Sequence, residues 1–198
     1  MKCIIIIGAS PPPENGIACH LNRLYGILIT NKFNVEWIDP YNCKIISNNK
    51  VIYKNKLVIY LIILYKLLLS RDIIHLHASR LGKFMLFWPI RYLNFKRKKL
   101  RIISIHGAFE KSYSKYGKIK KLMSITLLKY FNKIIVTNNS VNNLISSLIK
   151  DIEVITLPAF LPFLGQLSQL TSLNKRDFKN TNVLCCGSAE KIYNSLIK

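Results

Sequence analysis

The chain has 198 residues, half of them hydrophobic, with 30 basic against 9 acidic side chains and a formal net charge of +21. That composition excludes a disordered chain and supplies one well-buried domain, while leaving little for a second. The charge points to an anionic partner (nucleic acid, an anionic membrane face or a phosphorylated ligand) without choosing among them, and a bias toward AT-rich codons would inflate lysine without selection for charge.

Residues 3–7, Cys-Ile-Ile-Ile-Ile, read as a buried strand. The strand breaks into Gly8-Ala-Ser-Pro-Pro-Pro-Glu-Asn-Gly16, and residues 17–29 follow as a helix with Ile17, Leu21, Leu24, Tyr25 and Leu28 on one face. Such a strand, glycine loop and helix aim backbone N–H groups at the mouth of a sheet, where phosphates are favoured. Residues 35–38 form a second strand closed by Asp39-Pro40, and a polar stretch rich in Asn and Lys comes next. Residues 57–69 are a strongly apolar helix. Lys66 interrupts it and it falls short of the ~20 residues that span a bilayer, so it reads as a core helix.

Residues 72–76 are a strand, 81–93 a helix bent near Pro89, and 101–105 another strand. Residues 119–130 are helical, 133–136 a strand, 140–149 a helix with Ser140 as its N-cap, and 153–156 a strand. Short strands alternating with helices predict an α/β fold, a doubly wound, Rossmann-like parallel sheet whose ligands bind at the carboxyl ends of the strands. Near residue 157 the alternation stops, and residues 182–187 read as a new strand reaching Gly187 with a helix behind it. The expected organisation is a Rossmann-like domain over 1–165, a linker over 166–181, and the truncated start of a second α/β unit over 182–198.

The five cysteines, Cys3, Cys19, Cys43, Cys185 and Cys186, show no metal-ligand spacing, so neither a zinc site nor a disulfide framework is expected. That usage fits a reducing cytoplasm, and no signal-peptide pattern accompanies it.

Four histidines occur: His20, His75, His77 and His106. His75 and His77 are two apart near a strand end and share a face; His75 is expected to pack and His77 to reach the mouth of the sheet. No third ligand stands nearby, so no metal site is expected. His106, in Ile103-Ser-Ile-His-Gly107, ends a strand and is the stronger candidate for chemistry. The nine carboxylates show no pairing suited to acid–base work; Glu110 and Glu14 alone fall near the presumed mouth. Neither a nucleophile elbow nor a P-loop occurs, which disfavours an α/β-hydrolase and a P-loop enzyme. Basic residues concentrate over 91–101 and again over 111–121, where Tyr113 and Tyr116 interleave. Such clusters suit a solvated face or anionic lipid headgroups. No nucleic-acid-binding motif accompanies them, and nucleic acid is not expected as a partner.

Six segments in order resemble bacterial family 4 glycosyltransferases of the GT-B fold: residues 8–24, Asp72-Ile-Ile-His-Leu-His77, Ile103-Ser-Ile-His-Gly107, Lys133-Ile-Ile-Val-Thr-Asn-Asn-Ser140, Val154-Ile-Thr-Leu-Pro-Ala-Phe160 and Asn182-Val-Leu-Cys-Cys-Gly187. The resemblance implies retaining transfer of a sugar from a nucleotide-sugar donor to a lipid-linked or other saccharide acceptor in surface polysaccharide assembly. It implies no essential metal or other cofactor, and a cytoplasmic site at the inner face of the plasma membrane with an anionic membrane surface as partner. His106 would contact the donor sugar or reacting centre, and Gly16 with Asn15 would approach the donor phosphates. His20, Arg23, His77 and Glu110 become candidates for acceptor binding, and residues 1–165 the acceptor-binding domain.

Two departures stand out. The family has two adjacent glycines where this chain has Asn15-Gly16, and its nucleotide-binding second domain has no counterpart beyond the short unit over 182–198. The resemblance therefore implies little or no transferase activity from this chain alone. The alternative is an acceptor- or membrane-binding subunit that works with a separate nucleotide-binding chain.

Overall fold

The computed structural model describes residues 3–12, 16–47, 50–70, 72–92 and 100–157. The elements run β1 (Cys3–Ile7), α1 (Gly16–Thr30), β2 (Asn34–Asp39), β3 (Lys44–Ser47), β4 (Lys50–Tyr53), α2 (Lys56–Leu69), β5 (Ile73–Ala78), β6 (Arg101–Ile105), α3 (Phe109–Ser114), α4 (Lys118–Leu128), β7 (Lys133–Val136), α5 (Asn139–Leu148) and β8 (Glu153–Thr156). Two 3-10 segments, Leu81–Lys83 and Met85–Arg91, replace the expected helix between β5 and β6, with Pro89 inside the second. Pro89 has no N–H to donate and its ring crowds the i−4 carbonyl, which disfavours a continuous α-helix here.

One eight-stranded sheet organises the chain, in the order β4-β3-β2-β1-β5-β6-β7-β8. β2, β1, β5, β6, β7 and β8 are parallel, and β3 and β4 continue β2 as an antiparallel meander. The fold is α/β and Rossmann-like, as expected, with an antiparallel edge in place of the loop read over the Asn- and Lys-rich stretch. Each of its strands is short, Lys-Ile-Ile-Ser and Lys-Val-Ile-Tyr, and the pairing with β2 holds the pair in the sheet.

Register divides the side chains between two faces. On the first, Ile5, Ile7, Ile74, Leu76, Ile103, Ile105, Ile134 and Val136 form one large core with the buried sides of α2, Met85–Arg91, α4 and α5. On the second, Ile6, Val35 and Trp37 meet Leu21 of α1. Among the described residues, α1 is the helix whose buried side chains cover that second face. Two asparagines start helices: Asn55 Oδ1 accepts from the Val58 N–H at 2.8 Å, and Asn138 Oδ1 from the Val141 N–H at 2.8 Å. The cap of α5 is thus Asn138, two residues before the expected Ser140. The linker over 166–181, the unit over 182–198 and the basic run Lys96–Lys99 lie outside the described residues, as does the end of the 1–165 domain.

Candidate functional site

β1 is flanked by β2 on one side and β5 on the other, so the chain leaves it in opposite directions and a crevice opens at the carboxyl ends of β1 and β5. Gly8 follows β1 there. Its N–H donates to the Ile38 carbonyl at 3.0 Å, and its carbonyl accepts from Trp37 Nε1 at 3.0 Å. A Cβ at Gly8 would stand 2.5 Å from Leu21 Cδ1 and 3.1 Å from His77 Cβ. The leucine tip can swing aside, but the histidine Cβ is fixed by its strand. Glycine at this point therefore lets α1 and β5 approach one another and brings His77 to the mouth.

All four histidines of the chain meet in this region. His20, in the second turn of α1, places its ring centroid 5.7 Å from His77 and 5.6 Å from His106. His77 Nδ1 lies 3.3 Å from His106 Nε2, so one of these nitrogens donates to the other. His75 stacks 4.0 Å behind His77 and its Nε2 shares a 2.8 Å hydrogen bond with the Ser104 hydroxyl. His75, His77 and Ser104 all point to the second face, because they alternate with Ile74, Leu76, Ile103 and Ile105 on the first. His106 is anchored through its own N–H, which donates to the Ala78 carbonyl at 2.9 Å.

The His75, His77 and His106 rings are held uncharged. Burial, and then the neighbouring His20 and His106, bring His75 down to about 3. Burial, followed by His20, brings His106 down to about 4. His77 is lowered well below its ordinary value, by burial first and then by the other three histidines. His77 is 1 % exposed, and among the described residues its Nε2 has no hydrogen-bond partner. A buried ring nitrogen without a partner costs the desolvation of that group, so the site favours a ligand or water that completes it. Among the described residues no group of three or more His, Cys, Asp or Glu is arranged to hold a metal ion. The chemistry on offer is hydrogen bonding by neutral imidazoles. A ring with so low a proton affinity is a weak base, so His106 suits orienting a hydroxyl better than removing its proton.

The remaining candidates spread around this centre. Gly16 opens α1 and is exposed, and a Cβ there would meet nothing within 4 Å, so its backbone N–H and not its lack of a side chain is what the position offers. Asn15 and Glu14 lie outside the described residues. Arg23 stands one turn beyond His20 on α1 and is half-buried. Glu110, on the short helix α3 that sequence periodicity does not reveal, is exposed and accepts from the Ser140 hydroxyl at 2.6 Å. It ties α3 to the start of α5, away from the ring contacts of the histidines.

Sequence reasoning missed Asp39. Its buried carboxylate at the end of β2 accepts from the Ser10 N–H at 2.9 Å, the Ser10 hydroxyl, the Tyr41 N–H at 2.7 Å and the Asn42 N–H at 3.1 Å. Asn42 Nδ2 reaches the Ser10 and Pro12 carbonyls, and Lys44 Nζ the Pro11 carbonyl at 2.7 Å; the Pro11–Pro12 peptide is cis. An acidic residue at this place in a dinucleotide-binding domain receives ribose hydroxyls. Here one oxygen is occupied by Ser10 of the loop after β1 and the other by the Tyr41 and Asn42 N–H groups of the turn after β2, which argues against that class of ligand. The signal available in sequence was positional, an aspartate closing the second strand. Compared with known proteins, the chain matches no family model and no curated protein.

Proposed function

We propose that this chain is the acceptor-side domain of a glycosyltransferase of surface polysaccharide assembly, peripheral to the inner face of the plasma membrane. The observation that carries the reading is the convergence of His20, His77 and His106 at the carboxyl ends of β5 and β6, with the His77 and His106 rings held neutral. A neutral imidazole offers one N–H donor and one acceptor nitrogen, and a hydroxyl group can meet either. A saccharide offers hydroxyls as both donors and acceptors, and the unpartnered Nε2 of His77 is suited to one of them.

In this reading His106 contacts the donor sugar at the reacting centre, and His20, Arg23 and His77 hold the acceptor. The α1 N-terminus at Gly16 faces the donor phosphates, whose negative charge its N–H groups favour. A second α/β unit would supply the nucleotide contacts. The subunit alternative shares the same site and differs in where the nucleotide-binding unit is encoded. No helix among the described residues is long and apolar enough to cross a membrane, which is compatible with peripheral attachment.

The test is a titration of the histidine-labelled chain, followed by its ring resonances, with short-chain polyprenyl-linked saccharides and with nucleotide-sugars. Saccharide binding is expected to move the His20, His77 and His106 resonances, and His106→Phe to remove the response. Silence of all three rings across both ligand panels overturns the reading.

A further inference from the structure

The helix read from sequence as a core element is buried on only one side. Ile59, Ile63 and Leu67 of α2 enter the core, while Leu57, Leu61 and Tyr65, in step with them on the opposite side, are 70 %, 55 % and 58 % exposed. A helix apolar all round belongs in a core or against lipid, and half of this one faces neither. The segment Met85–Arg91 packs against both α2 and α4, so the three elements form one layer over the first face of the sheet. That layer continues the apolar display: Leu86 is 72 % exposed, and Ile119 and Leu122 of α4 are 76 % and 65 % exposed. Large aliphatic side chains repeated across adjoining elements mark an interaction surface rather than scattered surface leucines.

The charge of the layer selects its partner. α2, Met85–Arg91 and α4 carry Lys56, Lys66, Arg91, Lys118, Lys120 and Lys121, and no acidic residue. Lys66 is engaged by Glu36 at 2.5 Å and Lys121 Nζ lies over the Tyr113 ring, while Lys56, Arg91, Lys118 and Lys120 are exposed. A second copy of this chain would bring the same positive charge against itself, at +21 per copy. The apolar groups protrude from helix ridges instead of lining a groove, a shape that a fluid interface accepts without a matching surface. We propose that the α2 to α4 layer docks on an anionic membrane surface, with Leu57, Leu61, Tyr65, Leu86, Ile119 and Leu122 entering the headgroup boundary and the lysines reaching lipid phosphates. This deepens the membrane part of the reading above and is independent of sugar transfer; the histidine titration and the experiment below fail separately.

The experiment is flotation of the whole chain with phosphatidylglycerol–phosphatidylcholine vesicles and with phosphatidylcholine vesicles. Binding is expected to the anionic vesicles, and part of it to persist at about 0.5 M NaCl, where screening removes charge attraction but not insertion. Leu61→Ser with Tyr65→Ser is expected to lower binding by about tenfold and to abolish the salt-resistant part. In the unmodified chain, acyl-brominated lipid is expected to quench Trp88, which sits partly exposed in the same layer, and this readout needs no variant to fold. Binding that disappears entirely with salt, an unchanged double variant, or unquenched tryptophan overturns the proposal. So does a layer that instead mediates a salt-stable homodimer or takes up a soluble acidic protein while ignoring vesicles.

Discussion

The two faces of the sheet are built differently. The first is aliphatic from β1 to β7 and lies under α2, Met85–Arg91, α4 and α5. The second is aliphatic under α1, over β1 and β2, and turns to His75, His77 and Ser104 where β5 and β6 pass beyond that helix. Polar groups buried beneath a complete helical layer would need internal partners for every atom. At the margin of a single helix an atom can stay without an internal partner, as the Nε2 of His77 does. The aliphatic core and the histidine cluster thus occupy opposite sides of the same strands, one residue apart.

Substitutions on the two sides test this division. Ile74→Ala, wholly inside the first face, is expected to destabilise by about 2–5 kcal/mol in chemical denaturation, and Ile102→Ala, half-buried on the second, by less than half as much. Equal losses would mean that the second face is as tightly closed as the first.

Acid acts on the second face next. The folded chain holds His75, His77 and His106 below the value of about 6.5 that an unfolded histidine shows, so the unfolded state takes up protons first as pH falls. Their contribution to stability is complete above pH 6.5 and is lost from there down toward about 4 for His106 and about 3 for His75. The Tm is expected to be level from pH 7 to 8 and to fall by on the order of 10 °C between pH 7 and 5, with the fall reduced in His75→Gln/His77→Gln. A Tm that stays level to pH 5 would separate the cluster from folding altogether.

The smallest effects concern ion pairs. Glu36, bonded to Lys66 across the partly covered side of β2 and α2, is expected to cost about 1 kcal/mol when changed to Gln, against less than about 0.5 kcal/mol for Glu153, whose partner Lys133 is exposed. A reversal of that order, measured by urea titration, would remove burial as the difference between the pairs.

Much of the framework was legible because the strands are isoleucine runs punctuated by Gly, Asp and Pro, and the crossovers carry a helical period. The hairpin of β3 and β4 was not, since Ile45-Ile46 and Val51-Ile52-Tyr53 are short apolar runs set among Asn and Lys, without the length or alternation that marks a strand until β2 supplies the pairing. Helix α3 has too few residues to show a period. Within the site, strand ends pointed to His77 and His106 separately. Their contact depends on β5 and β6 lying side by side in a register that pairs His77 with Ser104, and His20 joins only because α1 folds back over β1. Sequence order holds no trace of that distance. The exposed row on α2 stayed hidden for a related reason, because Leu61 and Ile63 are chemically alike and only packing tells outward from inward.

Among the described residues β4 ends the sheet and no strand pairs with its outer edge, where Val51, Ile52 and Tyr53 are all exposed. Such an edge is a template on which a second strand can add. Lys50 and Lys54 bracket the three residues, and like charge keeps identical edges from aligning. Concentrated salt shortens the reach of that repulsion to roughly 3 Å at 1 M. The lysine richness of the chain therefore has a second physical consequence, colloidal solubility, and the protein keeps best in solution at modest ionic strength.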